Sequence, residues 1–247
     1  MEIVFLTALG VGSATIIGGI IGFFANKSSH KFNDAILSFA AGVMLLSSVT
    51  GLILPSLELG GSYRLPITIL GILCGAFVLD MLDKLIPRAS ELLSKRSEGE
   101  HEKSRAILFV LAIAIHNLPE GIATGVAFGT DDVGQALTVA VGIALQNVPE
   151  GMIVIPPMLS CGYSKLRALG IAFLTGVIEI VGTMLGYFAV SVSSVILPFA
   201  LAFAGGTMLY LISDEMIPET HSHGNERVAT YALLVGFSVM LIFDVIL

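Results

Sequence analysis

The sequence predicts an all-α polytopic membrane protein with eight transmembrane helices. Of its 247 residues, 55% are apolar and only 13% are charged, and the mean hydropathy is +0.93. An average soluble domain carries about 25% charged residues, whereas the apolar residues here are gathered into runs long enough to cross a bilayer. The composition therefore indicates an integral membrane protein surrounded by lipid, and we expect no nucleic-acid partner.

Eight apolar runs follow one another along the chain, each near the roughly 17 to 25 residues that a spanning helix requires. They cover about residues 3–25, 34–57, 65–86, 105–128, 133–157, 166–190, 195–217 and 228–247. The polar connections are short, apart from 87–104 and 216–227. We therefore expect a single transmembrane domain over residues 1–247, with 87–104 as a cytoplasmic loop within it.

Basic residues indicate the orientation. If the N-terminus lies outside, eleven of the twelve Lys and Arg residues fall on the cytoplasmic side and only Arg64 falls outside. A missed or an extra span would destroy this asymmetry. The first residues, Met1-Glu2-Ile3-Val4, lack the positive region of a signal peptide, so the first run is expected to be retained. We expect a multi-pass protein of the cell membrane, inner or plasma, with both termini extracytoplasmic.

An internal repeat relates the first three spans to the last three. Residues of the same type recur at a constant offset of 164, ending with Asp80 and Asp244. The other matches include Gly18–Gly182, Gly22–Gly186, Phe39–Phe203, Gly42–Gly206 and Met44–Met208. Because the second copy begins after an odd number of spans, the copies are inverted, and spans four and five form their own inverted pair. This 3+2+3 order with inverted repeats is typical of secondary transporters that bind their substrate at the midplane.

Span four carries a polar cluster at its centre. His116 and Glu120 are four residues apart and Asn117 and Glu120 are three apart, so all three lie on one side of a helix. Pro119 removes an amide donor and leaves the carbonyl of Ile115 without its helical partner. Each of these features is costly in a membrane, so the cluster requires a compensating partner.

Spans five and six extend the cluster. Gln146, Asn147 and Glu150 repeat the same spacing around Pro149, and Glu179 lies in an otherwise apolar part of span six. An unpaired acid at the membrane centre costs about 2.5 to 3.5 kcal/mol, and no Lys or Arg lies at that depth in the eight predicted spans. The compensating charge must therefore be protons or a bound cation.

The ligand types favour a divalent first-row metal. An imidazole nitrogen together with carboxylate and amide oxygens suits zinc and its neighbours, whereas sodium or magnesium would be bound by oxygen alone. His116 is therefore the informative residue. Met44 could add a soft thioether from span two, although packing explains it as well.

A second polar cluster is predicted at the cytoplasmic ends of spans three and seven. It contains Asp80, Asp83, Asp214, Glu215, Glu219, His221 and His223. Helix ends that meet water account for each residue taken singly. An acidic, His-bearing exit path that accepts a metal from the midplane accounts for them together, and the sequence leaves both explanations open.

At these residues the chain resembles the ZIP (Zrt/Irt-like) family of divalent-metal transporters, and most of all its prokaryotic GufA-like branch. The motifs that carry the resemblance are His116-Asn117-x-Pro119-Glu120-Gly121, Gln146-Asn147-x-Pro149-Glu150-Gly151 and Glu179. The resemblance implies eight helices in 3+2+3 order and a transport site formed by spans four, five and six. It also implies a primary metal at His116, Glu120 and Glu150, with Met44 as a further candidate. Asn117, Gln146, Asn147, Glu150 and Glu179 would frame a second site, weakened because Asn147 stands where some members carry an acid or a histidine.

We therefore expect a transporter, not an enzyme, that moves zinc into the cytoplasm, with iron, manganese and cadmium as further candidate substrates. An intramembrane zinc hydrolase is one alternative, but the chain lacks the His-Glu-x-x-His pattern and has Asn117 where the base would stand. An ion-coupled carrier of an organic solute is another, which His116 disfavours. Small-residue spacings such as Gly18-x-x-x-Gly22 allow close helix contacts within one chain or in a homodimer.

Overall fold

The computed structural model describes residues 1–24, 29–94, 116–130, 132–160, 163–192 and 194–246, and all regular structure in these ranges is helical. The predicted all-α fold is confirmed. The helices are α1 (Glu2–Phe24), α2 (His30–Ser48), α3 (Leu54–Leu59), α4 (Arg64–Ser94), α5 (116–127), α6 (Val133–Ser160), α7 (Lys165–Val192), α8 (Leu197–Leu211), α9 (Ile217–Thr220) and α10 (Glu226–Ile246).

Seven segments within the described ranges are long and apolar enough to cross a membrane. They correspond to every predicted span except the fourth, so the predicted multi-pass membrane character is confirmed. The fourth span was predicted over 105–128, and its described part is α5, which begins at His116. Residues 105–115 lie outside the described ranges.

Apolar side chains cover the outside of the helix bundle. The helices α4 and α10 present most of their residues outward, and Leu73, Phe77 and Tyr231 are each more than half exposed. Such a surface is unfavourable in water but suits lipid. The segments built on α2, α6 and α8 are the most buried of the seven. The interior of the bundle therefore holds α6 with its amides and its glutamate.

Two spans contain a wide π-helical turn. The segments Val49–Ile53 and Ile212–Met216 have π geometry, and each is followed by a short helix with proline near its start, Pro55 or Pro218. Proline lacks an amide donor and its ring clashes with the carbonyl four residues earlier, so the wider turn accommodates it. The sequence predicted these spans as uninterrupted. In span seven the wide turn carries Glu215.

The third spanning helix is longer than predicted. Residues 87–94 were expected to belong to the cytoplasmic loop 87–104, but α4 continues to Ser94. The apolar run of the third span ends where the chain is expected to leave the membrane. The residues that follow, Ala89-Ser90-Glu91-Leu92-Leu93, are mostly good helix formers, so they can continue the helix in water. The helix therefore outlasts the apolar run. Residues 95–104 of the predicted loop lie outside the described ranges.

Close helix contacts recur in the two halves of the chain. In α1, Gly18 lies so near the Val148 carbonyl of α6 that a Cβ atom would overlap it. In α7, Gly182 lies in the same way against the Leu118 carbonyl of α5. The glycines are 164 residues apart, as the repeat requires, and their partners are 30 apart, which is the spacing of the two Asn-x-Pro-Glu-Gly motifs. The repeat is therefore also a repeat of contacts.

The register of the repeat changes at the third span. Gly42 of α2 contacts Leu233 of α10, and Gly206 of α8 contacts Ile72 of α4. The glycines again differ by 164, but Ile72 and Leu233 differ by 161. The chain between the two contacts is therefore three residues longer in the first half, and α3, with six residues against four in α9, contributes to the difference.

This register corrects one sequence match. Asp80 was paired with Asp244 by the constant offset of 164, but by packing the partner of Asp244 is Asp83. The offset was extended through the connection between spans because two aspartates happened to coincide. Glycine contacts define the register more reliably, because a backbone carbonyl can approach the other helix this closely only at the glycine, where no Cβ atom blocks it.

Candidate metal site

The helix α5 presents three buried polar side chains. His116, Asn117 and Glu120 are 9%, 1% and 1% exposed. Glu120 lies near Gln146, Glu150 and Glu179, so that its charge interacts with both carboxylates. The structure thus brings together the predicted carboxylate cluster from three helices.

Many polar atoms in this cluster have no hydrogen-bond partner among the described residues. They are both oxygens of Glu120, both amide atoms of Asn117 and Gln146, and Oδ1 of Asn147. Each unsatisfied buried group costs about 1–3 kcal/mol, and more when it is charged. Several oxygen atoms that converge without donors form a site that a cation would stabilise.

Glu179 differs from Glu120 because its oxygens are already used. Asn147 Nδ2 donates to Glu179 Oε1 at 2.6 Å and also to the carbonyl of Val11 at 3.2 Å, and Thr15 Oγ1 donates to Glu179 Oε2 at 3.2 Å. Glu179 therefore joins α7 to α1 and α6. Sequence analysis did not single out Thr15, although it lies 164 residues before Glu179 and the repeat offset could have revealed it.

His116 faces the second polar cluster. Its Nε2 lies 2.9 Å from Glu215 Oε1 and 3.5 Å from Asp83 Oδ1. One ligand atom from each of the three residues falls within 4.8 Å of the others, and both Asp83 oxygens are buried without a hydrogen bond among the described residues. On α5, Glu120 therefore faces the buried carboxylates, and His116 faces Asp83 and Glu215.

Asp80 and Asp214 lie beside this group but are linked to other side chains. Lys84 Nζ is 2.6 Å from Asp80 Oδ2, and the Tyr210 hydroxyl is 3.3 Å from both Asp80 Oδ1 and Asp214 Oδ2. A hydroxyl has one proton, so Tyr210 can donate to only one of them at a time. The two aspartates are thus held as a bridge between α4 and the wide turn after α8.

Met44 lies in the apolar core. Its side chain is fully buried and belongs to the same apolar cluster as Ala123 and Ile143. This burial fits the packing role that the sequence left open for Met44.

A cavity of about 860 Å³ runs from the His116 end of α5 to exposed residues such as Ser222 and His223. Its polar lining includes His116, Asn117, Glu150, Asp214, Glu215 and Glu219. At its outer end it is lined by His30, Asp34 and His223, of which sequence analysis had considered only His223. His221 does not line it, because its Nδ1 lies 2.8 Å from the carbonyl of Ile217 at the end of α9.

Comparison with known proteins adds a family. A family model described as ZIP zinc transporter matches residues 90–244. The chain is 38% identical to the zinc transporter GufA of Myxococcus xanthus, over 97% of this chain and 96% of that protein. It is 35% identical to the zinc transporter ZIPB of Bordetella bronchiseptica, over 94% and 77%. It is also 34% identical to the zinc transporter ZupT of Chlorobaculum parvum, over 96% and 95%.

Proposed function

The chain belongs to the ZIP zinc transporter family, and we propose that it carries zinc through the cell membrane into the cytoplasm. The observation that carries the proposal is the group of buried polar atoms on α5 and α6 that lack hydrogen-bond partners among the described residues. A cation is the ligand that relieves most of them at once, because most are oxygens.

We assign the primary ion position to Glu120, Glu150 and His116. Glu120 has two oxygens without a donor, and Glu150 and His116 line the same cavity. Asn117 and Gln146 supply further amide oxygens. Asn147 Nδ2 donates to Glu179 Oε1, so a second ion bound to that oxygen would have to displace this hydrogen bond. We therefore expect this second position to be weaker than the first, and Met44 remains a candidate thioether ligand.

The exit path runs along the cavity. An ion held by His116 has Glu215 and Asp83 within reach as the next ligands. Beyond them the cavity is lined by Asp214 and Glu219. Because these residues lie near the predicted cytoplasmic ends of their spans, transport is directed inward. Iron, manganese and cadmium suit the same nitrogen and oxygen ligands and are further candidate substrates.

The recurring helix contacts support the inverted-repeat architecture. Gly18 and Gly182 make equivalent contacts with α6 and α5, the two helices that carry the repeated motif. An ion between these motifs lies on the axis relating the halves. This is the arrangement in which one bundle rocks against another around a fixed site.

Zinc uptake by reconstituted vesicles tests the site. His116→Ala or Glu120→Ala is expected to abolish uptake, followed by a zinc-sensitive dye inside the vesicles, because each removes a ligand at the only proposed entry to the path. Glu226→Gln is the control, since this exposed acid begins α10 away from the cavity. Uptake at the parent rate in both alanine variants would refute the site assignment.

A further inference from the structure

A group of polar residues that the transport site does not use lies at the outer end of the cavity. His30 is the first residue of α2 and His223 lies in the turn before α10. Their imidazole rings stack with centroids 4.6 Å apart and an interplanar angle of 25°. The two histidines are 193 positions apart in the chain, so only the fold brings them together.

Asp34 fixes one of these rings. Its side chain is 4% exposed, and its Oδ1 lies 3.0 Å from His223 Nδ1. Its other oxygen accepts a hydrogen bond from Asn225 Nδ2 at 2.9 Å. With Nδ1–H donated to the carboxylate, Nε2 of His223 carries the lone pair. A carboxylate that holds the far nitrogen of a histidine in this way is the usual support of a metal ligand.

The second ring is available as a ligand. Among the described residues, no group hydrogen-bonds to the ring nitrogens of His30. Two imidazoles bound to one zinc ion have their nitrogens about 3.3 Å apart, given Zn–N bonds of about 2.0–2.1 Å. The His30 ring is exposed, and the proposed site requires it to turn about its side-chain bonds from the stacked position toward His223 Nε2.

A carboxylate completes the set. Glu219 lies four residues before His223 and lines the same cavity as both histidines. The set of two imidazoles and one carboxylate is one that zinc accepts, with a fourth position left for water. If Asp34 only held the turn before α10 in place, this would explain its contacts with His223 and Asn225. It would not explain why His30 stacks on His223.

We propose that His30, His223 and Glu219 form a separate binding site for zinc or a similar divalent ion at the cytoplasmic mouth, with Asp34 as the positioning residue. In transport this site receives the ion that leaves His116 and Glu215, and this role rests on the proposed function. The proposed binding of metal does not depend on transport, because it is argued from the stacked histidines, the contact of Asp34 with His223 and the cavity that these residues share with Glu219.

Cobalt binding separates this site from the midplane site. In the background His116→Ala/Glu120→Gln/Glu150→Gln, we expect one Co²⁺ per chain to remain, detected by equilibrium dialysis and by the visible absorption of four-coordinate cobalt. His30→Gln or His223→Gln should remove it, and Asp34→Asn should weaken the affinity about 10–100-fold, as loss of a supporting carboxylate does elsewhere. His221→Gln is the matched control, since its ring bonds the end of α9 outside the cavity.

The site is refuted if the background chain binds no Co²⁺, or if binding survives the double variant His30→Gln/His223→Gln. His30→Gln breaks no hydrogen bond among the described residues, so loss of metal in that variant cannot result from a lost tether. If the triple variant does not fold, the test is made in the parent chain. There, His30→Gln should reduce the number of zinc ions bound per chain by one. Absence of zinc uptake by the parent chain would refute the transport function and leave the cobalt result standing.

Discussion

Hydrogen bonding distinguishes two buried glutamates that share a membrane depth. Glu179 accepts from Asn147 and Thr15, whereas both oxygens of Glu120 lack a donor among the described residues. A carboxylate whose oxygens are already bonded loses those bonds when it binds a metal, and the unbonded one loses nothing. At the scale of single residues, we therefore expect Glu120 to be the stronger ion ligand and Glu179 to hold α1, α6 and α7 together through its hydrogen bonds.

The substitution Asn147→Asp tests this distinction. The amide donor to Glu179 Oε1 would be replaced by a second carboxylate, so the metal-free protein should lose about 1.5–3 kcal/mol of stability, the value of a hydrogen bond to a charged group. Zinc should restore the loss by bridging the two acids. Thermal unfolding in detergent, with chelator and with added zinc, measures both effects.

The control for Asn147→Asp is Gln135→Glu, which adds a carboxylate to α6 about three turns away at a partly buried position near Thr50. It should unfold at nearly the same temperature with and without zinc. If Asn147→Asp is as stable as the parent chain in chelator, the bond between Asn147 and Glu179 does not stabilise the site.

At the scale of helices, glycine determines how closely the spans approach one another. Gly18 and Gly182 seat backbone carbonyls of α6 and α5, the helices that carry the repeated motif. In a membrane the hydrophobic effect does not drive helices to associate, so their association depends on close van der Waals packing. The position of the polar motifs relative to each other therefore depends on residues that have no side chain.

Alanine at glycine positions should have opposite effects in two parts of α1. Glycine is about 0.8–1.0 kcal/mol less favourable than alanine inside a helix. A Cβ atom added at Gly10 would meet no other atom within 4 Å, so Gly10→Ala should leave stability equal or slightly raised. Gly18→Ala and Gly182→Ala should both lower it, because the new methyl group meets a backbone carbonyl.

Thermal unfolding and the yield of monodisperse protein in detergent measure these glycine variants. Equal behaviour of Gly10→Ala and Gly18→Ala would contradict the close contact between α1 and α6. An effect at Gly18 without one at Gly182 would contradict the equivalence of the two halves.

At the scale of the whole molecule, the cavity and the basic residues agree on one orientation. The cavity opens near His223 and Glu219, between spans whose connections carry the Lys and Arg residues. If the predicted topology is correct, this opening faces the cytoplasm, and His116 lies on the lining of the cavity that leads to it.

Site-directed labelling tests the orientation. In a chain whose own Cys74 and Cys161 are replaced, Ser62→Cys in the turn between α3 and α4 should react with an impermeant maleimide on intact cells. Ser222→Cys, in the turn before α10, should react only after the membrane is opened. Both positions are exposed. Reaction of Ser222→Cys on intact cells would contradict the proposed cytoplasmic mouth.

Composition and helical spacing were enough to predict the class of fold and the chemical type of the central site. Long apolar runs predict spanning helices, because in lipid the backbone must satisfy its own hydrogen bonds. His116, Glu120, Glu150 and Glu179 stand out because charged and polar residues are costly at that depth. These inferences depend only on which residues follow one another, which a linear sequence contains.

Which of those groups are satisfied, and what lies beside them, became visible only in three dimensions. The bonds of Thr15 and Asn147 to Glu179, the approach of Glu215 and Asp83 to His116, and the stacking of His30 on His223 join distant parts of the chain. The three-residue shift in the repeat and the wide turns before Pro55 and Pro218 were likewise invisible to hydropathy. Hydrogen bonds and close packing depend on small differences in the distance between helices, and no spacing along a single helix encodes them.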